Sequence, residues 1–104
     1  MPDDYSVHFH PEFFDDLKRL DRKEKEIISK QVEKIKRDPT RFKHLRGGDN
    51  CYRVRMGNLR LVYYLEGKAL WFLVAERRDT VYSIYLKRLY NLKQRLESEE
   101  GAHP

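Results

Sequence analysis

From Cys51 to Tyr64 the chain reads as two runs of two-residue alternation joined at Gly57-Asn58. Such alternation marks half-buried strands, and a two-residue loop with glycine first suits a primed hairpin turn. The predicted register faces Met56 with Leu59, Val54 with Leu61 and Tyr52 with Tyr63, which gathers these residues on one apolar face. Arg53, Arg55 and Arg60 fall on the other face, with Arg55 directly opposite Arg60. Like charges facing each other across a sheet destabilise it, so this cationic face either takes up an anion, which three converging arginines favour, or is a solvated outer face.

The flanking patterns build on that hairpin. Tyr5, Val7 and Phe9 alternate with Ser6, His8 and His10, which predicts a first strand. His8 and His10 share its polar face at a metal-like spacing, but no third ligand accompanies them and no metal site is expected. Pro11 suits a first helical position, and Phe13 or Phe14, Leu17 and Leu20 follow at helical spacing, so a short helix ends near Leu20. Asp21 with Glu24 resembles a capping box, Ile28, Val32 and Ile35 form the stripe of a second helix, and Asp38-Pro39 ends it. The two helices predict a hairpin covering the apolar face of the sheet. Arg41, Lys43, His44 and Arg46 then form a basic loop ahead of Gly47-Gly48. Such a loop either tracks a phosphate backbone or is a solvated connector pinned by Phe42 and Leu45.

After the central hairpin, Glu66-Gly67 predicts a second tight turn and KALWFLVAE a third meander strand. Alternation assigns Leu70, Phe72 and Val74 to the apolar face, and Trp71, Leu73, Ala75 and hence Arg77 to the arginine face. Trp71 and Tyr64 there either stack on bases or pack against a helix. Asp79 or Thr80 caps a final helix over residues 79–99, with Val81, Tyr85, Leu89, Leu92 and Leu96 along one side and residues 100–104 as a frayed tail. If that helix overhangs the core, its leucines are exposed to a partner; the alternative is packing on the sheet. The expected fold is thus a single α+β domain over residues 1–104: an N-terminal strand, a helical hairpin, an antiparallel β-meander and a C-terminal helix.

Composition narrows the function. A net charge of +5 and a pI near 9.4 on 104 residues favour a polyanionic partner, nucleic acid first. The lone Cys51 excludes an internal disulfide framework and a cysteine-based zinc cage, and suits a reducing compartment. No apolar run is long enough to span a bilayer and the N-terminus does not read as a leader, so a cytoplasmic protein without membrane contact is expected.

Three stretches, YSVHFHPEFFDDLKRL, HLRGGDNCYRVRMGNLRLVYYL and ERRDTVY, resemble the RelE/ParE toxin superfamily. The resemblance implies a RelE-like toxin of a type II toxin-antitoxin system. In the family's ribosome-dependent nucleases, messenger RNA in the ribosomal A site is cut when a ribose 2′-OH attacks the adjacent phosphate, leaving a cyclic phosphate. By motif position, Arg53 and Arg55 fall where such nucleases often carry Lys, Arg60 matches an Arg, and Tyr82 matches the Tyr of the terminal VY pair. The segment before Tyr82 is one residue short of the nuclease spacing, so Arg77 or Arg78 fills the remaining position, and alternation favours Arg77. The implied catalytic set is Arg53, Arg55, Arg60, Arg77 and Tyr82, with Lys43, His44, Arg46 and Arg78 binding RNA. A guanidinium keeps its proton, so these arginines grip phosphate and offset charge without acting as bases; His44 and Tyr82 are the candidates for proton transfer. The resemblance further implies a cognate antitoxin that wraps the domain, blocks the basic face or displaces the last helix. It also implies ribosome and mRNA as partners, a higher-order toxin-antitoxin assembly, and no cofactor. The competing expectations are a ParE-like inhibitor of DNA gyrase and a non-catalytic RNA-binding member of the fold.

Overall fold

The central hairpin forms in the register its alternation predicts. In the computed structural model, which describes residues 5–46 and 50–101 with side chains through Ser98, β3 (Cys51–Met56) and β4 (Leu59–Glu66) pair Met56 with Leu59, Val54 with Leu61, Tyr52 with Tyr63 and Arg55 with Arg60. Gly57 takes a φ of 61° at the turn, a left-handed conformation that glycine adopts without steric penalty. The fold is α+β, with a five-stranded sheet in the order β1-β5-β4-β3-β2. β5 (Ala69–Arg77) completes the antiparallel meander, but β1 (Ser6–Phe9) runs parallel to β5, so the sheet is mixed. The segment expected to be a loop contributes a two-residue edge strand, β2 (Lys43–His44), on the far side of β3. Gly47-Gly48 lies outside the described residues.

Helix α1 (Pro11–Lys18) begins at its proline, and His10 Nδ1 accepts the Glu12 backbone N–H at 3.1 Å. Helix α2 (Arg22–Arg37) has the full capping box: Glu24 N–H donates to Asp21 Oδ1 at 2.8 Å, and Asp21 N–H to Glu24 Oε1 at 2.9 Å. Phe13, Ile28, Val32 and Ile35 pack with Val54, Leu61, Tyr63, Leu70 and Phe72 on one sheet face, while Phe14 stays exposed. Each such buried side chain contributes roughly 1.5–3 kcal/mol, which is why these stripes decide where the helices dock.

After a short 3-10 turn (Arg78–Thr80), α3 (Val81–Gly101) runs two residues beyond the expected Glu99; residues 102–104 of the expected tail lie outside the described residues. Val81, Tyr85, Leu89 and Leu92 are buried against Cys51, Val62, Tyr64, Leu73 and Val74, with Leu96 partly buried. The stripe considered as an exposed partner surface is therefore core, because the opposite sheet face carries enough apolar area to hold it. On that helix Leu86 and Tyr90 are the exposed large apolar residues among those described. Tyr64 is buried beneath α3 and Trp71 stacks on His8 with ring centroids 4.5 Å apart, so neither stands free as a platform for bases.

β5 departs from simple alternation. Val62 pairs with Val74 but Tyr63 pairs with Phe72, leaving Leu73 as an inserted residue. This bulge reverses the parity of everything after it. Val74 joins the α3 side, Ala75 joins the α1/α2 core, and Arg77 faces the α1/α2 side opposite Leu59. Pairing with β1 ends at Phe72, and past it two side chains serve the β5 edge. Arg88 Nη1 donates to the Leu73 carbonyl at 2.7 Å, and Asp16 Oδ2 accepts the Ala75 N–H at 3.0 Å. Arg88 and Asp16 also bind each other through two hydrogen bonds of 2.7 and 3.0 Å, tying α3 to α1 across the edge. Burial opposes the Arg88 charge, but its hydrogen bonds to Asp16 and that carboxylate's charge outweigh it and raise the guanidinium pKa.

Candidate active site

Arg53 and Arg55 on β3 and Arg60 on β4 share the sheet face onto which α3 packs, beyond the area the helix covers. Two elements enlarge the set. Pairing of β2 places Lys43 across from Arg53, so Lys43 joins the face instead of lying in a loop. The first turn of α3 brings up Tyr82, whose hydroxyl accepts a 3.4 Å hydrogen bond from Arg53 Nη1.

The three arginines are held differently. Arg60 donates from Nη1 to the Gly57 and Leu59 carbonyls at 2.7 and 3.0 Å and from Nε to Asp79 Oδ1 at 3.1 Å. Its side chain is 15% exposed against 64% for Asp79, so Arg60 is fixed while its carboxylate partner is free to be exchanged. Arg53 is half-buried and Arg55 exposed, and neither forms an ion pair with a carboxylate among the described residues. The fixed geometry prepays orientation, and the open arginines leave room for an anion.

Arg77 does not reach this face. Its Nε donates to Glu24 Oε2 at 2.8 Å and its Nη2 to the Arg19 carbonyl at 3.3 Å, bracing the end of β5 against the start of α2. The Arg77 hydrogen bond, followed by the Asp21 N–H, pulls the Glu24 carboxyl to about 2, and the same pairing raises the Arg77 pKa. The bulge at Leu73 is the reason: without it alternation carries Arg77 to the arginine face. Arg78 is exposed, with a φ of 65°, and its backbone N–H donates to the Asn58 carbonyl at 2.6 Å, which ties the turn carrying Asp79 to the hairpin loop. A non-glycine residue in this conformation costs of order 1 kcal/mol, sustained here by that anchor.

His44 also lies on the opposite face of the sheet. It pairs with Tyr52 and packs edge-on against that ring at 5.0 Å, on the α1/α2 face away from Arg53, Arg55 and Arg60. Arg46 is exposed, and its carbonyl accepts the Tyr85 hydroxyl at 3.4 Å. His8 bonds the Ser6 hydroxyl at 3.0 Å and stacks on Trp71, whereas His10 caps α1. Burial and then the Arg88 charge push the His10 pKa down. Among the described residues no three His, Cys, Asp or Glu side chains cluster in a way that could hold a metal.

Sequence reasoning missed Asp79 as the partner of Arg60, and it missed the buried Asp16–Arg88 pair. A signal for the second existed. Asp16 lies between Phe13, Leu17 and Leu20 on the α1 stripe, and Arg88 between Tyr85, Leu89 and Leu92 on the α3 stripe. Opposite charges on two apolar stripes call for each other.

No protein-family model matches the sequence, and neither does any curated protein. Solved structures do match. An arginine-substituted mutant of E. coli toxin RelE in the free state aligns with a TM-score of 0.70 at 23% identity, covering 81% of this chain and 96% of that one. The RelB-RelE antitoxin-toxin complex from Methanococcus jannaschii aligns at 0.63 and 24% identity, over 74% of this chain and 96% of the other. A chain of the chromosomal ParDE system of P. aeruginosa aligns at 0.57 and 14% identity, over 73% of this chain and 98% of that one. The mixed sheet, its helical hairpin and its C-terminal helix are those of the RelE-like toxin fold.

Proposed function

We propose that this chain is the toxin of a type II toxin-antitoxin pair and cuts messenger RNA on the ribosome by attack of a ribose 2′-OH on the adjacent phosphate. The observation that carries this reading is the contact between Arg53 and Tyr82, which brings a phenol from α3 onto a face already bearing Lys43, Arg55 and Arg60. In the step envisaged, the 2′-OH gives its proton to water as its oxygen bonds to phosphorus, the bond to the 5′-oxygen breaks, and the leaving oxygen takes a proton from Tyr82 or the Lys43 ammonium, which solvent restores. Arg53 and Arg55 grip the non-bridging oxygens. Arg60, already oriented, exchanges Asp79 for the substrate and offsets the charge that builds on the pentacoordinate phosphorus. Tyr82 and the Lys43 ammonium are the groups on this face that exchange protons, since guanidiniums do not. Arg46 and Arg78, both exposed, supply sequence-independent contacts to RNA. Arg77, bonded to Glu24, and His44, packed on Tyr52, have no part in this reading.

The cellular counterparts are a cognate antitoxin and the translating ribosome in the cytoplasm; the M. jannaschii relative is itself a complex of RelE with RelB. Induction of the chain in cells separates the possibilities. Immediate loss of protein synthesis with mRNA cleavage supports the nuclease, filamentation with DNA damage points to gyrase, and full viability points to a binding module without catalysis.

A further inference from the structure

At the outer edge of β3 lies a groove of 410 Å³ lined by Gln31 and Lys34 of α2, by Arg41 and Lys43, and by Arg53 and Arg55 of the strand. β2 pairs only with Tyr52 and Arg53, so the groove follows the part of the β3 edge that β2 leaves open. Five cations line it, and among the described residues no carboxylate does. Nor does any of the five form an ion pair among those residues, in contrast to Arg60, Arg77 and Arg88, each held by a carboxylate. The Arg41 guanidinium lies over the Phe42 ring, 5.6 Å from its centroid, which holds it at the groove wall. Concentrating like charge in a concavity costs stability in the free protein, and a bound polyanion offsets that cost.

Arg53 and Arg55 belong to both the groove and the arginine face. We propose that the groove is a second phosphate site, in which a further phosphodiester of the RNA strand held at the arginine face passes around the β3 edge and is gripped by Lys34 and Arg41. The Gln31 amide N–H is placed to donate to a ribose 2′-oxygen there. This rests on reading the arginine face as an RNA site. An acidic protein segment is the competing occupant. The observations favour RNA because the groove and the arginine face share Arg53 and Arg55.

The test uses the full chain and non-cleavable 2′-O-methyl RNA of two and of six nucleotides, with dissociation constants measured by fluorescence anisotropy across a salt series. Lys34 and Arg41 are exposed, and thermal melts check that the Lys34→Ala/Arg41→Ala variant stays folded. That variant should weaken the six-nucleotide RNA about tenfold and lower the salt slope by about 0.7, the value for one phosphate on a single strand, while leaving the dinucleotide unchanged. Unchanged affinity and slope for the longer RNA overturn the proposal. So does weakened binding of a polyglutamate peptide with RNA binding intact, which assigns the groove to an acidic partner. Arg55→Ala separates the two claims: it should weaken both RNAs. If it does so while the groove variant has no effect, the second site fails and the arginine face stands. If the groove variant weakens the longer RNA and Arg55→Ala leaves the dinucleotide unaffected, the groove stands and the face fails.

Discussion

Replacing Asp16 with alanine tests the interaction that holds α3, and with it Tyr82, in place. Asp16 is fully buried and the Arg88 side chain is 7% exposed. The carboxylate accepts two hydrogen bonds from Arg88, one from the Ala75 N–H and a longer one of 3.4 Å from Arg19 Nη1. Asp16→Ala therefore strands a buried guanidinium and a buried backbone donor. Breaking one side of a buried pair costs about 3–5 kcal/mol, against a total stability of about 5–15 kcal/mol for a domain of this size. At about 4–8 °C per kcal/mol, the melting temperature should fall by roughly 12–40 °C. Urea and thermal unfolding followed by circular dichroism measure both quantities. Asp16→Ala/Arg88→Met, which removes both charges and keeps an unbranched apolar side chain, should recover the part of the loss due to the stranded guanidinium, while the Ala75 N–H and the Leu73 carbonyl stay without these partners. A single-variant loss below about 1 kcal/mol, or a double variant no more stable than the single, refutes the argument that the pair is a buried lock.

Arg60→Ala should slow cleavage about a hundredfold, about 3 kcal/mol of transition-state stabilisation, with a smaller change in binding; single-turnover kinetics with excess ribosomes separate the two. Tyr82→Phe keeps the ring and should lower the same rate if the hydroxyl takes part in proton transfer. Asp79→Asn removes the anion competing for Arg60, and since a partly exposed pair is worth about 0.2–1 kcal/mol, RNA should bind roughly 1.5- to 5-fold more tightly in an anisotropy titration. The Glu24 carboxyl lies at about 2 in the fold against an ordinary 4.5, so its contribution to stability is complete above 4.5 and is lost as pH falls through about 2. The gap in urea midpoint between the parent chain and Glu24→Gln should accordingly narrow across that window.

The central hairpin could be read from sequence because two local signals agreed, the Gly57 turn and the alternation on both sides of it. The α2 cap and stripe were legible for the same reason. The bulge was not. One inserted residue, Leu73, leaves no compositional mark, yet it exchanged the faces of Val74 and Ala75 and moved Arg77 from the arginine face to Glu24. Pairing of β2 was hidden as well, because two residues cannot show a period; its consequence was to separate Lys43 from its neighbour His44 by the thickness of the sheet. The parallel placement of β1 beside β5 is a long-range choice that local pattern does not encode. Arg53, Arg55 and Arg60 were found together because their register depended on the hairpin alone. Tyr82 came from the family resemblance, and the structure supplies its contact with Arg53.

The most direct test of the central claim is cleavage of a defined mRNA on programmed ribosomes, with a single 2′-deoxy substitution at the nucleotide whose hydroxyl would attack. The all-ribose message should be cut in the A site, leaving a 2′,3′-cyclic phosphate on the upstream fragment, and the deoxy-substituted message should remain intact at that bond. An all-ribose message left whole under these conditions, or equal cutting of the deoxy-substituted one, contradicts the mechanism assigned to the arginine face.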